Sequence, residues 1–255
     1  MLIATWNVNS VRMRLPRVID WLATRRPDVL CMQETKVVDG DFPREPFEAL
    51  GYRLEVFGQK TYNGVATASR HPMTDVVRGL PGEGPEDAKR VLEVTTGGIR
   101  VVNVYVPNGQ EVGSEVFAAK LDWLRRLRGR LDAAFSPSEP LVLLGDMNVA
   151  PEDRDVYDPV RLAGTIHCSE PEREALRDVM AFGLRDAVRL FNDGPGLYSW
   201  WDYRAAMFRR NLGLRIDLLL VTEPLVARCR LSEVDKAARA GEKPSDHAPV
   251  FAEFA

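Results

Sequence analysis

Short apolar runs rich in β-branched residues recur along all 255 residues of the chain, and no other feature limits its fold as strongly. Such runs read as strands, because branched side chains suit a pleated, half-buried surface. They fall at 2–8, 29–34, 53–57, 64–69, 91–95, 100–106, 141–146, 184–187, 216–221, 227–234 and 248–254. Three other segments have helical spacing. Residues 15–24 put Leu15, Val18, Ile19 and Leu22 on one face, and residues 115–131 do the same with Phe117, Leu121, Leu124, Leu127 and Leu131. Arg126 and Arg130 fall on the far side of that second helix. Arg128 falls inside its apolar stripe, where it is expected to lay its stem along the core and keep its charge in water. A third helix, ending near Phe182, opens with Ser169-Glu170-Pro171-Glu172, a capping box that satisfies orphan backbone N–H groups. Many strands with few helices predict an α/β chain of two packed sheets with helices outside. The Pro/Gly-rich stretches at 79–85, 136–140 and 193–196 are short enough to be loops, so residues 1–255 are expected to form one domain.

Hydrophobic residues make up 45% and charged residues 28%, which suits a soluble globular protein able to bury a core without disulfides. The net charge of −3 argues against a uniformly basic surface. It leaves room for a local basic face beside an acidic pocket, since nucleic-acid binding needs charge only where phosphates lie. Arginines cluster at Arg12/Arg14/Arg17, Arg125/Arg126/Arg128/Arg130 and Arg204/Arg209/Arg210, each of which also reads as a solvated face. Cys31, Cys168 and Cys229 are far apart, with no CxxC pair, so neither a disulfide framework nor a zinc site is expected. Cys31 sits in an apolar run and reads as core rather than nucleophile. The first residues read as a strand and not a signal peptide, and no apolar run approaches a membrane span. A cytoplasmic protein is expected.

Five segments place polar or acidic residues where an apolar run begins or ends: Asn7-Val8-Asn9, Gln33-Glu34-Thr35-Lys36, Gly145-Asp146-Met147-Asn148, Arg215-Ile216-Asp217 and Ser245-Asp246-His247. Burying such groups without partners is costly, so each is expected to be paired, hydrated or metal-bound. Asn7 and Asn9 are two apart, as are Asp146 and Asn148, and in extended backbone each pair points to one side. Oxygen ligands of this kind suit a hard cation such as Mg²⁺ or Mn²⁺. Singly, each segment also reads as a cap, a turn or a structural histidine. Together they supply several acids, amide donors and one acid-linked histidine.

At this point the chain resembles the exonuclease III branch of the endonuclease/exonuclease/phosphatase superfamily, over essentially its whole length. The resemblance rests on those five segments, on Trp6-Asn7-Val8-Asn9-Ser10-Val11-Arg12, on Asn103-Val104-Tyr105-Val106-Pro107-Asn108-Gly109 and on Ser199-Trp200-Trp201-Asp202-Tyr203-Arg204. It implies a four-layer α/β sandwich of the deoxyribonuclease-I type, acting as a Mg²⁺-dependent nuclease on abasic sites or blocked 3′ ends of duplex DNA, as a monomer. It further implies that Glu34 is the main metal carboxylate, with Asn7 and Asp246 close by. Asp146 and Asn148 would hold the attacking water and a phosphate oxygen. His247 would contact the scissile phosphate with Asp217 behind it, and Tyr105 would lie against that phosphate. Trp200, Leu214 and Ile216 match a pocket for a base-less sugar, although the last two also read as plain core. Arg12, Tyr62 and Asn63 match backbone-contacting positions, and Asn108 and Arg204 are expected to join them on the DNA. Some relatives carry an acid where this chain has Asn9.

These roles suit the reaction. Attack on a phosphodiester adds negative charge to its nonbridging oxygens, which metal, imidazolium and amide donors stabilise. Asp217 behind His247 favours the imidazolium. A carboxylate within reach of the attacking water takes its proton, and Asp146 is the candidate. Two alternatives remain at this stage: a phosphoesterase of another superfamily branch, and a DNA-binding relative that has lost catalysis. The Trp-Trp-Asp-Tyr-Arg segment argues against the first, and the joint presence of Glu34, Asp146, Asn148, Asp217 and His247 against the second.

Overall fold

The apolar runs become the strands of two six-stranded sheets in a computed structural model, which describes residues 1–255. In chain order the strands are β1 (Leu2–Asn7), β2 (Val29–Gln33), β3 (Arg53–Phe57), β4 (Val65–Ser69), β5 (Met73–Arg78), β6 (Val91–Thr96), β7 (Ile99–Tyr105), β8 (Leu141–Asp146), β9 (Arg185–Asp186), β10 (Asp217–Val221), β11 (Cys229–Val234) and β12 (Val250–Phe254). The helices are α1 (Val11–Arg25), α2 (Arg44–Ala49), α3 (Glu115–Ala134), α4 (Pro159–Leu162), α5 (Glu170–Met180) and α6 (Glu223–Val226). The first sheet has the order β11-β12-β1-β2-β4-β3 and the second β5-β6-β7-β8-β10-β9. Each holds one parallel pair, β1–β2 or β7–β8, joined by a crossover through α1 or α3.

Both faces of the central strands are buried, which is why they read as unbroken apolar runs rather than as alternation. Ile3, Val29, Cys31, Val101, Val142, Leu144 and Leu219 fill the space between the sheets. Their neighbours Ala4, Leu30 and Met32 turn the other way, onto Trp21 and Leu22 of α1 and Phe47 of α2. On the second sheet Val102, Val104, Leu143 and Leu218 meet Leu124, Leu127 and Leu131 of α3 and Leu176 and Val179 of α5. The result is the expected four-layer α/β sandwich. Burial pushes the Cys31 thiol up to about 12, as suits a core residue, and all three cysteines are free. No helix is long and apolar enough to cross a membrane.

The departures from the predicted elements have local causes. Strand β5 was not predicted. It lies at a sheet edge, is largely exposed, and carries a register shift between Thr74 and Val77 with Asp75 at φ 51°, so its sequence shows no burial pattern. Helix α1 begins at Val11 instead of Leu15, capped by the Ser10 hydroxyl, with Pro16 tolerated inside. The run predicted from residue 227 starts as a strand only at Cys229, because α6 occupies the preceding turn. The strand predicted at 184–187 shortens to the two residues of β9. The capping box of Ser169 and Glu172 forms as read, and Arg128 turns its guanidinium outward to Asp132.

Polar contacts between the sheets fix their relative position. Gln33 Nε2 donates to Thr5 Oγ1 (2.8 Å) in its own sheet and to Asn103 Oδ1 (2.8 Å) in the other. Asn103 Nδ2 in turn donates to the carbonyls of Met32 (3.3 Å) and Ala66 (3.0 Å). This bridge sets the carboxyl ends of β1 and β2 against those of β7 and β8, the end of a parallel strand pair where open α/β sheets usually build sites.

Candidate active site

Glu34 follows β2 and Asn148 lies two residues past β8, and both have φ 50°. Left-handed backbone costs a non-glycine residue about 1–3 kcal/mol, so the surroundings must hold it in place. The Glu34 carbonyl accepts from Ser10 N (2.7 Å), and Asn148 N donates to Asp146 Oδ1 (2.9 Å). Gly145 is required just before Asp146: a Cβ there would meet the Val104 carbonyl oxygen at 1.8 Å, so only glycine lets β8 lie this close to β7.

These turns bring the strand-end side chains together. Asn7 Nδ2 donates to Glu34 Oε1 (2.8 Å) and to Asp146 Oδ2 (2.9 Å). His247 Nδ1 contacts Asp217 Oδ2 (2.8 Å), while Nε2 lies 3.7 Å from Asp146 Oδ2. Ser199 Oγ donates to the same Asp217 oxygen (2.6 Å) and accepts from the backbone N–H groups of Ile216 and Asp217. The His247 backbone is held from both sides, its N–H by Ser245 Oγ (3.2 Å) and its carbonyl by Trp6 Nε1 (3.1 Å). Tyr105 lies beside Glu34 and Asp146, with the Arg90 guanidinium 4.6 Å from its ring centre.

The electrostatics follow from burial and crowding. Burial opposes charge on His247, but Asp217 and Asp146 outweigh it and hold the imidazole up at about 10, protonated. Burial pushes Asp146 up to about 7, with Asp217 and Glu34 adding to it and His247 and Asn7 pulling it down. Burial also raises Tyr105, assisted by Glu34 and Asp146, so its hydroxyl stays protonated. For Glu34 burial is outweighed by Lys36, whose Nζ lies 2.9 Å from Oε2, and by Asn7, and its pKa is lowered. Four carboxylates, Glu34, Asp146, Asp217 and Asp246, thus face Lys36 and His247. Ligand atoms of Glu34, Asp146 and His247 lie within 4.8 Å of one another. A buried excess of carboxylate oxygen beside amide groups fits a hard divalent cation.

The family model described as "Endonuclease/Exonuclease/phosphatase family" matches residues 4–247. The chain belongs to this family. Within it the chain is 36% identical to exodeoxyribonuclease III of Haemophilus influenzae, with 98% of each chain covered. Among solved structures, a 3′ phosphatase, NExo, from Neisseria bound to a product DNA hairpin superposes with a TM-score of 0.96 at 43% identity, covering 100% of this chain and 99% of that one. An AP endonuclease from Archaeoglobus fulgidus gives 0.96 at 42% identity, with the same coverage. These matches place the chain in the exonuclease III branch, and that branch is metal-dependent. The fold is of the deoxyribonuclease-I type.

The remaining predicted residues of this family member differ in burial and in partners. Trp200, Leu214 and Ile216 form one apolar cluster with Ala150, Val156 and Cys168. Leu214 and Ile216 are buried there and Trp200 is half-buried, its Nε1 donating to Asp246 Oδ2 (3.1 Å). The other Asp246 oxygen accepts from Asn9 Nδ2 (2.9 Å), and Asn9 Oδ1 accepts from Lys36 Nζ (2.6 Å). Asp246 is therefore connected to Glu34 through Asn9 and Lys36. Arg12, Tyr62 and Arg204 are exposed, and the two arginines are ion-paired with Asp41 (3.3 Å) and Asp202 (2.6 Å). Asn63 sits at φ 53° with its carbonyl on Lys36 N (3.0 Å), and Asn108 Nδ2 lies 3.4 Å from Asn148 Oδ1.

Lys36, Arg90, Lys120, His167 and Ser199 carry no role that the sequence alone assigns. Lys36 and Ser199 lie inside quoted motifs and were findable there. Lys120 stands on the apolar stripe of α3, a signal in itself. His167 is a lone histidine with no pattern around it. Burial, with Lys120 beside it, pushes it down to about 4, so it is neutral, with Nδ1 2.6 Å from the Asn148 carbonyl oxygen.

Proposed function

We propose that the protein hydrolyses the DNA phosphodiester 5′ to abasic sites and also removes nucleotides or phosphate from 3′ ends, using Mg²⁺ or Mn²⁺. The observation that carries this is the meeting of Glu34, Asp146 and the Asp217-bonded His247 at the strand ends. Glu34 is the principal metal ligand, with Asn7 and Asp246 alongside. A cation held there would supply positive charge to offset the charge that develops on the phosphate and the leaving group. Asp146 takes the proton of the attacking water, and burial puts it in the range of a base working near neutrality. His247, kept protonated by Asp217, donates to a nonbridging oxygen. Tyr105 does the same as a neutral donor, and Asn148 and Asn108 offer amides beside them. The Asn7 amide nitrogen donates to both carboxylates and so bridges and orients Glu34 and Asp146.

Trp200, Leu214 and Ile216 form the wall against which a base-less sugar rests, since a small apolar pocket accepts a flipped abasic deoxyribose and excludes a full nucleotide. Arg12, Tyr62, Asn63 and Arg204 touch the backbone, which positions DNA without reading its sequence. The protein acts as a monomeric single domain on duplex DNA.

The relatives divide over which of these reactions their names record. The Neisseria protein is named both a 3′ phosphatase and a 3′-5′ exonuclease, and the Archaeoglobus protein an AP endonuclease, at 42–44% identity throughout. The three reactions share one chemistry and differ in how DNA is held. The test is product analysis on labelled duplexes carrying an internal abasic site, a 3′-phosphate or a recessed 3′-hydroxyl, each with and without Mg²⁺. Metal-dependent incision at the abasic site is the expected result. No product from any of the three duplexes would overturn the reading.

A further inference from the structure

Lys120 has no exposed surface and stands on the face of α3 that also buries Phe117, Leu124 and Leu127. A charge buried there is costly unless its hydrogen bonds are complete. They are complete. Nζ donates to the Glu172 carboxylate, to the Asn148 carbonyl (2.7 Å) and to the Asn108 carbonyl (3.0 Å). These three acceptors use the three ammonium N–H groups. They come from three separate segments: the loop after β7, the loop after β8 and the first turn of α5.

Stability alone does not explain a lysine at this place, because a buried ion pair is often replaced by apolar residues at little cost. Glu172 has other work in any case, since it also accepts from the N–H groups of His167 (3.1 Å) and Ser169 (3.2 Å) and caps α5. An apolar side chain in place of the ammonium could not hold two carbonyls. The Asn148 carbonyl is fixed on one side of its Cα by Lys120 and His167, and its N–H on the other by Asp146 Oδ1. This pins the φ of 50° that the residue must adopt. Asn108, fixed by the same ammonium, places its Nδ2 3.4 Å from the Asn148 side-chain oxygen. The chain lies close over the lysine stem at Gly109, where φ is 89° and a Cβ would meet Lys120 Cδ at 2.8 Å.

We propose that Lys120 is a positioning residue for phosphodiester cleavage: its ammonium holds the Asn108 and Asn148 backbones so that their amides aim at the phosphate. This rests on the reading of those asparagines given above. An ångström of misplacement costs on the order of 10²-fold in rate, so the loss should appear in the cleavage step and not in affinity.

The experiment is a double-mutant cycle. Lys120→Met with Glu172→Gln removes both buried charges together. Lys120→Arg keeps the charge and the ion pair but replaces three convergent donors by a planar fork. Each is combined with Asn148→Ala, and single-turnover cleavage in Mg²⁺ and duplex affinity in Ca²⁺ are measured. The expected result is cleavage slower by at least about tenfold with little change in affinity, and losses that do not multiply with that of Asn148→Ala. A lysine that merely stabilised the fold would give multiplicative losses. Either variant, once folded, cleaving within about twofold of wild type overturns the proposal, as do independent losses. If Asn108→Ala and Asn148→Ala both cleave like wild type, the asparagine reading is wrong and the proposal falls with it. If they are slow while the Lys120 variants are fast, only the proposal falls.

Discussion

The strand-end cluster and the exposed residues proposed to touch DNA are held in opposite ways. Asn7, Asp146, Asn148, Asp217 and His247 are all buried, and each is held by at least one hydrogen bond of 2.9 Å or less to a neighbouring strand end or loop. By contrast Arg12, Tyr62 and Arg204 are 57%, 68% and 88% exposed; Arg12 pairs with the exposed Asp41 and Arg204 with Asp202, whose side chain is 20% exposed. A buried network holds its geometry before substrate arrives, which is what stabilising charge on a phosphate requires. An exposed arginine can leave its partner at little cost, which is what following a long polyanion requires. The rate should therefore reside in the first region and the salt-dependent affinity in the second.

The largest expected effect tests the buried side. Asp146→Asn and His247→Asn should each slow single-turnover cleavage by about 10²–10⁴ while leaving duplex affinity in Ca²⁺ nearly unchanged. Rapid-quench measurements at saturating enzyme separate the two quantities. A variant that cleaves within a few-fold of wild type would remove its residue from the mechanism. Asp217→Asn should cost less than His247→Asn, because Asp217 acts through the imidazole it holds. Equal losses would mean that Asp217 has a role of its own.

Much of this buried side was legible in the sequence, because polar residues closing an apolar run have few places to go in a two-sheet fold. Asn7, Glu34, Asp146, Asp217 and His247 all lie at such ends. The partners of Lys120 were less legible: its place on the apolar stripe of α3 marks it as unusual, but a helical period gives no account of an ammonium bonded to other segments. The exposed residues were legible only as candidates. Whether Arg12 meets Asp41, 29 residues away, depends on how two loops fold, and neither carries a period.

An intermediate effect is expected at Glu34, which, unlike Asp146 and Asp217, is only partly buried. Glu34→Gln removes one carboxylate charge and the ion pair with Lys36, which keeps its bond to Asn9. Calorimetry should show weaker Mg²⁺ binding, and activity should recover in part as metal is raised. Unchanged affinity would show that Glu34 is not the principal ligand. Trp200 stands between the two regions, half-buried and bonded to Asp246. Trp200→Ala should reduce discrimination between abasic and intact duplex without changing the salt dependence of either. Retained discrimination would take Trp200 out of the proposed sugar pocket.

The smallest effect belongs to Arg12, and it tests the exposed residues most directly. Its pair with Asp41 is exposed on both sides, so removing it should leave the melting temperature almost unmoved. Binding should respond differently. If Arg12 exchanges Asp41 for a phosphate, Arg12→Ala should reduce the slope of log K against log salt by about 0.9 on duplex DNA. Abasic and intact duplexes should weaken alike, since a phosphate contact carries no lesion information. Asp41→Ala sharpens the comparison, because it removes the partner that Arg12 must leave. That variant should bind slightly more tightly at low salt, and only when Arg12 is present. The readout is affinity for both duplexes over a salt series, in Ca²⁺ to suppress cleavage. An unchanged slope for Arg12→Ala would assign the ion pair to the free surface alone and take Arg12 out of the DNA track.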